Sequence, residues 1–402
     1  MRVFVKNMRG EPLMPTNPRK ARVLLKQKKA KVISRTPFAI QLLYATGEAT
    51  QKITLGVDAG NRKVGISATT KKEELYAAEA ELRNNIVDLL TEKRQYRRTR
   101  RNRLRYRPAR FNNRRINEGW LAPSIRHKIE SHLKLVRNVC EILPISKIVV
   151  EIASFDIRKI NNAEKNEGEK ELGFWNNREY VFFRDAFKCQ GKRGCKNKIL
   201  NVHHISKTGG NAPDNLVTLC EECHDAYHKD ALKLKHDVVK EVKVSAFTRI
   251  VPRIVYNRLK GIYPDVELTY GYITKYNRIN GGILKKGAAD AYCIAGNLRA
   301  ARTDTIYKQK FVRKGNRGLY KANLKKGGKR ESCNLPYIMY GFRMYDKVLF
   351  DNQECFIIGR RSNGSFALGS IDGEMISGGR TYKKLTLLEY AGTLLSFRLS
   401  NN

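Results

Sequence analysis

Apolar and polar positions alternate on both sides of Gly60–Asn61 in residues 52–68, KITLGVDAGNRKVGISA, which predicts two strands joined by a turn. Residues 1–50, ahead of them, mix short apolar runs (Val3–Val5, Val32–Ile33, Phe38–Leu43) with Lys and Pro. Pro12, Pro15 and Pro18 punctuate an early loop there, and the stretch predicts a small, independent, basic module. An acidic stretch follows the hairpin (Glu73, Glu74, Glu79, Glu81). Ile125, Ile129, Leu133, Val136, Val139 and Cys140 recur at helical spacing through residues 124–142, and SKIVVEI at 146–152 suits a buried strand. Residues 157–173 are charged and Asn-rich, a linker by composition. Further on, the pattern predicts a helix over 238–262, a strand over 265–274, an interruption at Gly281–Gly282 and a helix over 287–301. The remainder alternates in short segments such as DKVLFDNQECFIIG and GSFALGSIDGEMISGG, a small β-barrel or sheet composition. No repeat with a period of 20–50 residues is present.

Charge changes this picture most. The 402 residues carry 79 Lys and Arg against 38 Asp and Glu, a formal net charge of +41. Such an excess repels itself in a compact chain and calls for a polyanionic partner. It is concentrated in residues 93–115, KRQYRRTRRNRLRYRPARFNNRR, where 12 of 23 residues are basic and none is acidic. The segment is helix-compatible up to Pro108, but its Arg residues lie on every face, so no apolar stripe can dock it. Like charges at Arg94–Arg98, Arg97–Arg101 and Arg101–Arg105 destabilise the isolated helix by a few tenths of a kcal/mol per pair. Tyr96, Tyr106 and Phe111 are interleaved for stacking, which favours a nucleic acid over a merely solvated face. No run of 18 apolar residues exists, and the charged N-terminus MRVFVKNMRG does not read as a secretory signal, so a cytoplasmic, membrane-free protein is expected.

Four of the eight Cys fall close together with four of the seven His: Cys189-x5-Cys195, His203-His204, then Asn215, then Cys220-x2-Cys223-His224-x3-His228. Two Cys pairs, each closed by a short loop, are what a tetrahedral structural Zn2+ site needs. A zinc knuckle alone would leave four His unused. The arrangement VHHI…DNL…LCEECHDAYH resembles the HNH, or ββα-metal, nuclease motif. The resemblance implies that His203 is a metal ligand, that His204 is the general base, that Asn215 orients it, and that His224, with His228 one turn later, completes a site for one Mg2+. A neutral imidazole suits proton abstraction near pH 7, and a divalent ion suits the charge built up on a scissile phosphate. His127, His132 and His236 lack such context and read as packing or surface residues.

Three dispersed carboxylates form a second constellation. Asp58 ends the strand in GVDAG, Glu151 ends IVVE and Asp290 opens the helix AADAYCIAG. Each alone is an ordinary strand-end or capping residue. Together and in this order they resemble the three split segments of a RuvC-type RNase H fold, which implies that the carboxylates converge and that two Mg2+ relieve their repulsion and drive an in-line displacement. The RuvC group usually carries a His three residues before the last Asp, and this chain has Gly287 there.

The order of parts, with PLMP spelled at Pro12-Leu13-Met14-Pro15, resembles the IscB family of compact transposon-encoded nucleases related to type II CRISPR effectors. The implied fold is a multidomain α/β protein. A PLMP domain occupies residues 1–51, and a RuvC core is split over 52–82, 119–160 and 237–302. An Arg-rich bridge helix lies in 83–118, a linker and zinc-containing HNH insertion in 161–236, and a small β-rich C-terminal region in 303–402. The resemblance also implies a structured guide (ωRNA), 1:1 with a monomeric protein, and double-stranded DNA as target beside a short adjacent motif. HNH would then cut the guide-paired strand and RuvC the displaced strand, with Arg94, Arg97, Arg98, Arg101 and Arg105 on nucleic-acid phosphates. Arg360 and Arg361 are candidate motif readers by composition alone. The alternatives are an HNH-only nickase, if Gly287 disables RuvC, and an unguided homing-type or junction-resolving endonuclease. A guided binder with degenerate catalysis sits poorly with an intact residue set.

Overall fold

The computed structural model describes residues 2–104, 121–152, 181, 185, 188–192, 195, 199–205, 215–229, 231–232, 246–313 and 336–400. The chain divides into two compact units, Met1–Ala153 with Ala246–Asn402, and Ser154–Ser245.

The first unit begins with β1 (Val3–Lys6), β2 (Pro12–Thr16), α1 (Pro18–Lys26), β3 (Ala30–Ser34) and β4 (Ala39–Leu42), which form a four-stranded sheet ordered β2-β1-β4-β3. Pro12 and Pro15 therefore lie in a strand, not in a loop. The strand is at the sheet edge, where a missing N–H costs no ladder bond. Pro18 opens α1, where its absent N–H is an orphan in any case, and Asn17 Oδ1 caps the turn by accepting from Lys20 N at 2.7 Å. The module is not independent. Phe4 packs edge-on against Tyr76, with ring centroids 6.1 Å apart, and Arg2 pairs with Glu73.

Next come the predicted hairpin, β5 (Thr54–Asp58) and β6 (Lys63–Thr69), then β7 (Glu74–Glu81), α2 (Ile86–Leu104), α3 (Pro123–Cys140) and β8 (Lys147–Ile152). The second unit supplies β9 (Leu200–His204), β10 (Leu216–Cys220) and α4 (Glu221–His228). The chain then returns with α5 (Ala246–Lys260), β11 (Val266–Tyr270), α6 (Gly271–Asn280), α7 (Gly287–Ala295) and β12 (Thr305–Phe311). The final strands are β13 (Lys347–Phe350), β14 (Gln353–Arg360), β15 (Ser365–Gly369), β16 (Met375–Thr381), β17 (Thr386–Glu389) and β18 (Leu394–Ser400). Seven helices and several sheets thus make a mixed α/β structure among the described residues.

A seven-stranded sheet ordered β11-β8-β5-β6-β7-β12-β18 organises the first unit. β5, β6 and β7 are antiparallel, whereas β8 runs parallel to β5 and β11 parallel to β8. One face of the sheet presents Leu55, Val57, Val64 and Ile66 to Ile129 and Val136 of α3 and Val251 and Val255 of α5, all fully buried. Burial of each such side chain contributes about 1.5–3 kcal/mol. The opposite face is kept low by glycine so that α7 can lie on it. A Cβ at Gly56 would stand 2.0 Å from Ala291 O, and one at Gly65 would stand 1.9 Å from Gly287 O.

Two expected elements end earlier than their apolar patterns. The strand from 265 stops at Tyr270, because Gly271 turns the chain into α6. The helix from 287 stops at Ala295, because Gly296 adopts a left-handed cap (φ 80°). The C-terminal alternating segments form the five-stranded sheet β16-β15-β14-β13-β17, while β12 and β18 pair with each other at the edge of the large sheet. No described helix is long and apolar enough to cross a membrane.

Candidate metal centres and nucleic-acid face

The sheet order brings the dispersed carboxylates together. Asp58 ends β5, Glu151 lies near the end of the neighbouring parallel strand β8, and Asp290 stands on the first turn of α7, packed over β5 and β6. All three are pushed above their ordinary carboxylate range. Asp58 rises to about 7, first through burial and then through the charges of Glu151 and Asp290. Glu151 is raised by burial and by Asp290, with the Thr274 hydroxyl acting against this. Asp290 is raised by burial, while Arg278 and Lys285 pull it down. Arg278 Nε lies 3.2 Å from Asp290 Oδ1. The start of α6 sits over Glu151, since a Cβ at Gly271 would be 3.2 Å from Glu151 Oε1, so the positive end of that helix faces the carboxylate. The three carboxylates feel one another's charge, and their oxygens are hard donors of the kind Mg2+ takes, but they are not drawn to within 4.8 Å of one another as the thiol and imidazole clusters are. Gly287 leaves the position three residues before Asp290 without a side chain, as its sequence dictates.

Thr274, Arg278 and Lys285 were not foreseen as part of this centre. They lie in or beside α6, whose sequence carries no local chemical signature, and only the packing of α6 beside α7 brings them in.

In the second unit, β9 and β10 form a hairpin that leads into α4, with His203 opposite Val217 and His204 opposite Leu216. Strand alternation separates the paired histidines: His203 is 7% exposed, whereas His204 is open to solvent. His203 meets His224 and His228, which face it one helical turn apart. The three rings lie 4.5–4.9 Å apart by centroid and one nitrogen of each lies within 4.8 Å of the others. His203 is pushed down to about 4, first by burial and then by His224, His228 and His204, so it is neutral and ready to ligate. Its Nε2 is buried without a hydrogen-bond partner, which a metal would satisfy. Asn215 is buried, and its carbonyl accepts from Ile205 N at 2.8 Å, one residue beyond the His204–Leu216 pair. Tyr227, missed in the sequence, packs on the His203 ring at 4.6 Å and donates to Ile205 O at 3.3 Å.

Cys189, Cys195, Cys220 and Cys223 gather so that their Sγ atoms all lie within 4.8 Å of one another, and none forms a disulfide. Gly191 N (3.4 Å) and Cys220 N (3.2 Å) donate to Cys189 Sγ. Burial pushes the Cys189 thiol up, but these amides and the hydrogen bonds of the Cys223 and Cys220 thiols together outweigh it and hold it below the ordinary thiol range. Cys223 is pushed up to about 12 by burial and by the thiols of Cys220 and Cys189. Four sulfurs this close, with none tied up in a disulfide, match the tetrahedral four-thiolate set that suits Zn2+. Gly191 permits the approach, since a Cβ there would meet Cys223 Sγ at 2.9 Å.

Helix α2 buries none of its side chains as far as residue 98, and Arg94, Arg97 and Arg98 are exposed. The Arg101 side chain and all of Arg105 lie outside the described residues. In the C-terminal sheet, Arg360 donates to Pro336 O and Tyr337 O. Nearby, Tyr340 and Tyr382 stack at 4.4 Å, and the Arg343 guanidinium lies over the rings of Tyr337 and Tyr390.

These features define a chain with a carboxylate centre on an α/β sheet and a separate unit in which a cluster of four cysteines and a cluster of three histidines can hold metal. Residues 3–172 match the family model described as RRXRR protein, a family found in IscB- and HNH-type nucleases, and this associates the chain coarsely with nucleases. The matched span includes Asp58 and Glu151 and ends before the Cys and His clusters and Asp290. No curated protein matches the chain.

Proposed function

We propose that this chain is an RNA-guided, metal-dependent DNA endonuclease of the IscB type, with a RuvC-like centre at Asp58, Glu151 and Asp290 and an HNH-like centre at His203, His204, Asn215, His224 and His228. The observation that carries the reading is the convergence of three carboxylates from distant segments onto two adjacent parallel strands and one covering helix. The net charge of +41 and the bare basic face of α2 support a polyanionic partner, a guide ωRNA with its DNA target.

In the acidic centre, Asp58, Glu151 and Asp290 would hold two Mg2+, while Arg278 and Lys285 limit carboxylate repulsion. Bound Mg2+ supplies an activated water and stabilises the leaving oxygen. In the second unit, His203, His224 and His228 would hold one divalent ion on the buried side of the hairpin, and an all-imidazole set suits Zn2+ or another transition-metal ion better than the Mg2+ that the motif implies. His204, on its solvent side, would take the proton from the attacking water, with the Asn215 carbonyl holding the amide of the neighbouring Ile205. The four thiols would hold Zn2+ and tie the 189–195 loop to the start of α4. The HNH-like centre would cut the guide-paired strand and the RuvC-like centre the displaced strand. Gly287 favours a second reading in which only the HNH-like centre cuts, giving a nickase.

The test is to express the chain with its native flanking DNA, sequence the RNA that co-purifies, and assay each DNA strand with His204→Ala and Asp58→Ala. A discrete structured RNA, with each variant losing one strand's cleavage and retaining target binding, is expected. Cleavage without RNA would overturn the guided reading in favour of an unguided endonuclease.

A further inference from the structure

The acidic centre is flanked by a carboxylate that no sequence motif picks out. Glu79 lies on β7, and the antiparallel ladder runs Asp58, Gly65, Glu79 across three neighbouring strands. Residues directly opposite in such a ladder share a face. Asp58 and Glu79 therefore rise on the same side of the sheet with only a glycine between them, and the Gly287 carbonyl covers that glycine. The start of α7 is thus flanked by Asp58 on one side and Glu79 on the other. A Cβ built at Gly287 would find Glu79 Cγ at 3.5 Å, Cδ at 3.6 Å and Oε2 at 3.7 Å. The Glu79 carboxylate fills the direction in which a longer side chain at 287 would extend. Its two oxygens have different surroundings: Oε1 pairs with Lys63 Nζ at 2.7 Å, while Oε2 faces Gly287. The Glu79 charge is also felt at Asp58.

We propose that Glu79 supplies from β7 the polar group that position 287 lacks, as a fourth carboxylate of the centre that accepts hydrogen bonds from the hydration shell of the cation held by Asp58, Glu151 and Asp290. The inference rests on the reading of that centre as a Mg2+ nuclease site. It makes Gly287 and Glu79 a matched pair, because an imidazole at 287 would compete with the Glu79 carboxylate for one volume. The plain alternative is a surface ion pair in which Glu79 serves only Lys63. Such pairs contribute little to folding, so Glu79→Gln should melt with the parent.

The experiment titrates Mn2+ into the full chain carrying His203→Ala, which silences the imidazole centre, and follows free Mn2+ by electron paramagnetic resonance. Partners that orient ligands around a metal change affinity by about 10–100-fold. Glu79→Gln should therefore weaken Mn2+ binding by about tenfold, Lys63→Ala should leave it unchanged, and Glu79→Ala combined with Gly287→His should recover part of the loss. Unaltered affinity in Glu79→Gln, or an equal loss in Lys63→Ala, would overturn the role of Glu79 while Asp58→Asn still abolishes binding. If Asp58→Asn itself leaves Mn2+ binding intact, the acidic centre is misread and the inference falls with it.

Discussion

Gly65→Ala tests the seating of α7, on which the convergence of the carboxylates depends. The added Cβ would stand 1.9 Å from Gly287 O, and real Cβ contacts essentially never fall under 3.0 Å. One side must give by about 1.1 Å at the least, and both are backbone in close-packed elements. Overpacking of this kind costs about 1–3 kcal/mol, which lowers the melting temperature by a few degrees. The larger effect is on function, because Asp290 rides on the same first turn as Gly287. A displacement of about 1 Å at a reacting centre costs on the order of 100-fold in rate. The assay pairs thermal melting with strand-resolved cleavage of a guided target. The expected result is a modest loss of stability with a roughly 100-fold loss of displaced-strand cleavage and unaltered cutting of the guide-paired strand. Gly47→Ala is the control, since a Cβ there meets nothing within 4 Å and its stability change should stay within about 0.5 kcal/mol. If Gly65→Ala melts and cuts like the parent, α7 is not seated on Gly65 and the placement of Asp290 is wrong.

Three further outcomes follow from the centres. Asp58 is held near pKa about 7, above the value of 3.8 for a free side chain, so the folded state keeps a proton that the unfolded chain releases. In metal-free buffer, stability should therefore fall as pH rises from about 4 to 7; Asp58→Asn should flatten this dependence and Mg2+ should offset it, and a parent profile identical to that of Asp58→Asn would contradict the assignment. Cys223→Ser should release bound zinc to a chromogenic chelator and unfold the second unit, as measured by proteolysis, while the first unit stays resistant; full zinc retention would show that the four sulfurs are not the site. Replacing Arg94, Arg97 and Arg98 together by Ala should leave melting unchanged and reduce the slope of log affinity for RNA against log salt by up to about 0.9 for each phosphate no longer neutralised; an unaltered slope would mean that this face of α2 meets no nucleic acid.

Several features were legible in the chain because they are local. The 52–68 hairpin, α3 and the buried strand at 147–152 follow from apolar periodicity, and the Cys and His clusters follow from spacing that a short hairpin and one helical turn can close. Periodicity misled where backbone chemistry outweighed it. Gly271 and Gly296 ended elements that their apolar residues would have extended, and an edge position let Pro12 and Pro15 enter a strand.

What the sequence determined by itself was the inventory: the donors, their order, an arginine-rich helix with no apolar face, and a glycine at 287. The tertiary structure alone decided which of these meet. Sheet order, a long-range property, put Asp58 beside Glu151, and the two glycines under α7 brought Asp290 down onto them. The same packing set Arg278 and Lys285 against Asp290 and placed Glu79 beside Gly287, which no motif could nominate because a charged side chain is ordinary until a neighbouring element brings other charges up to it.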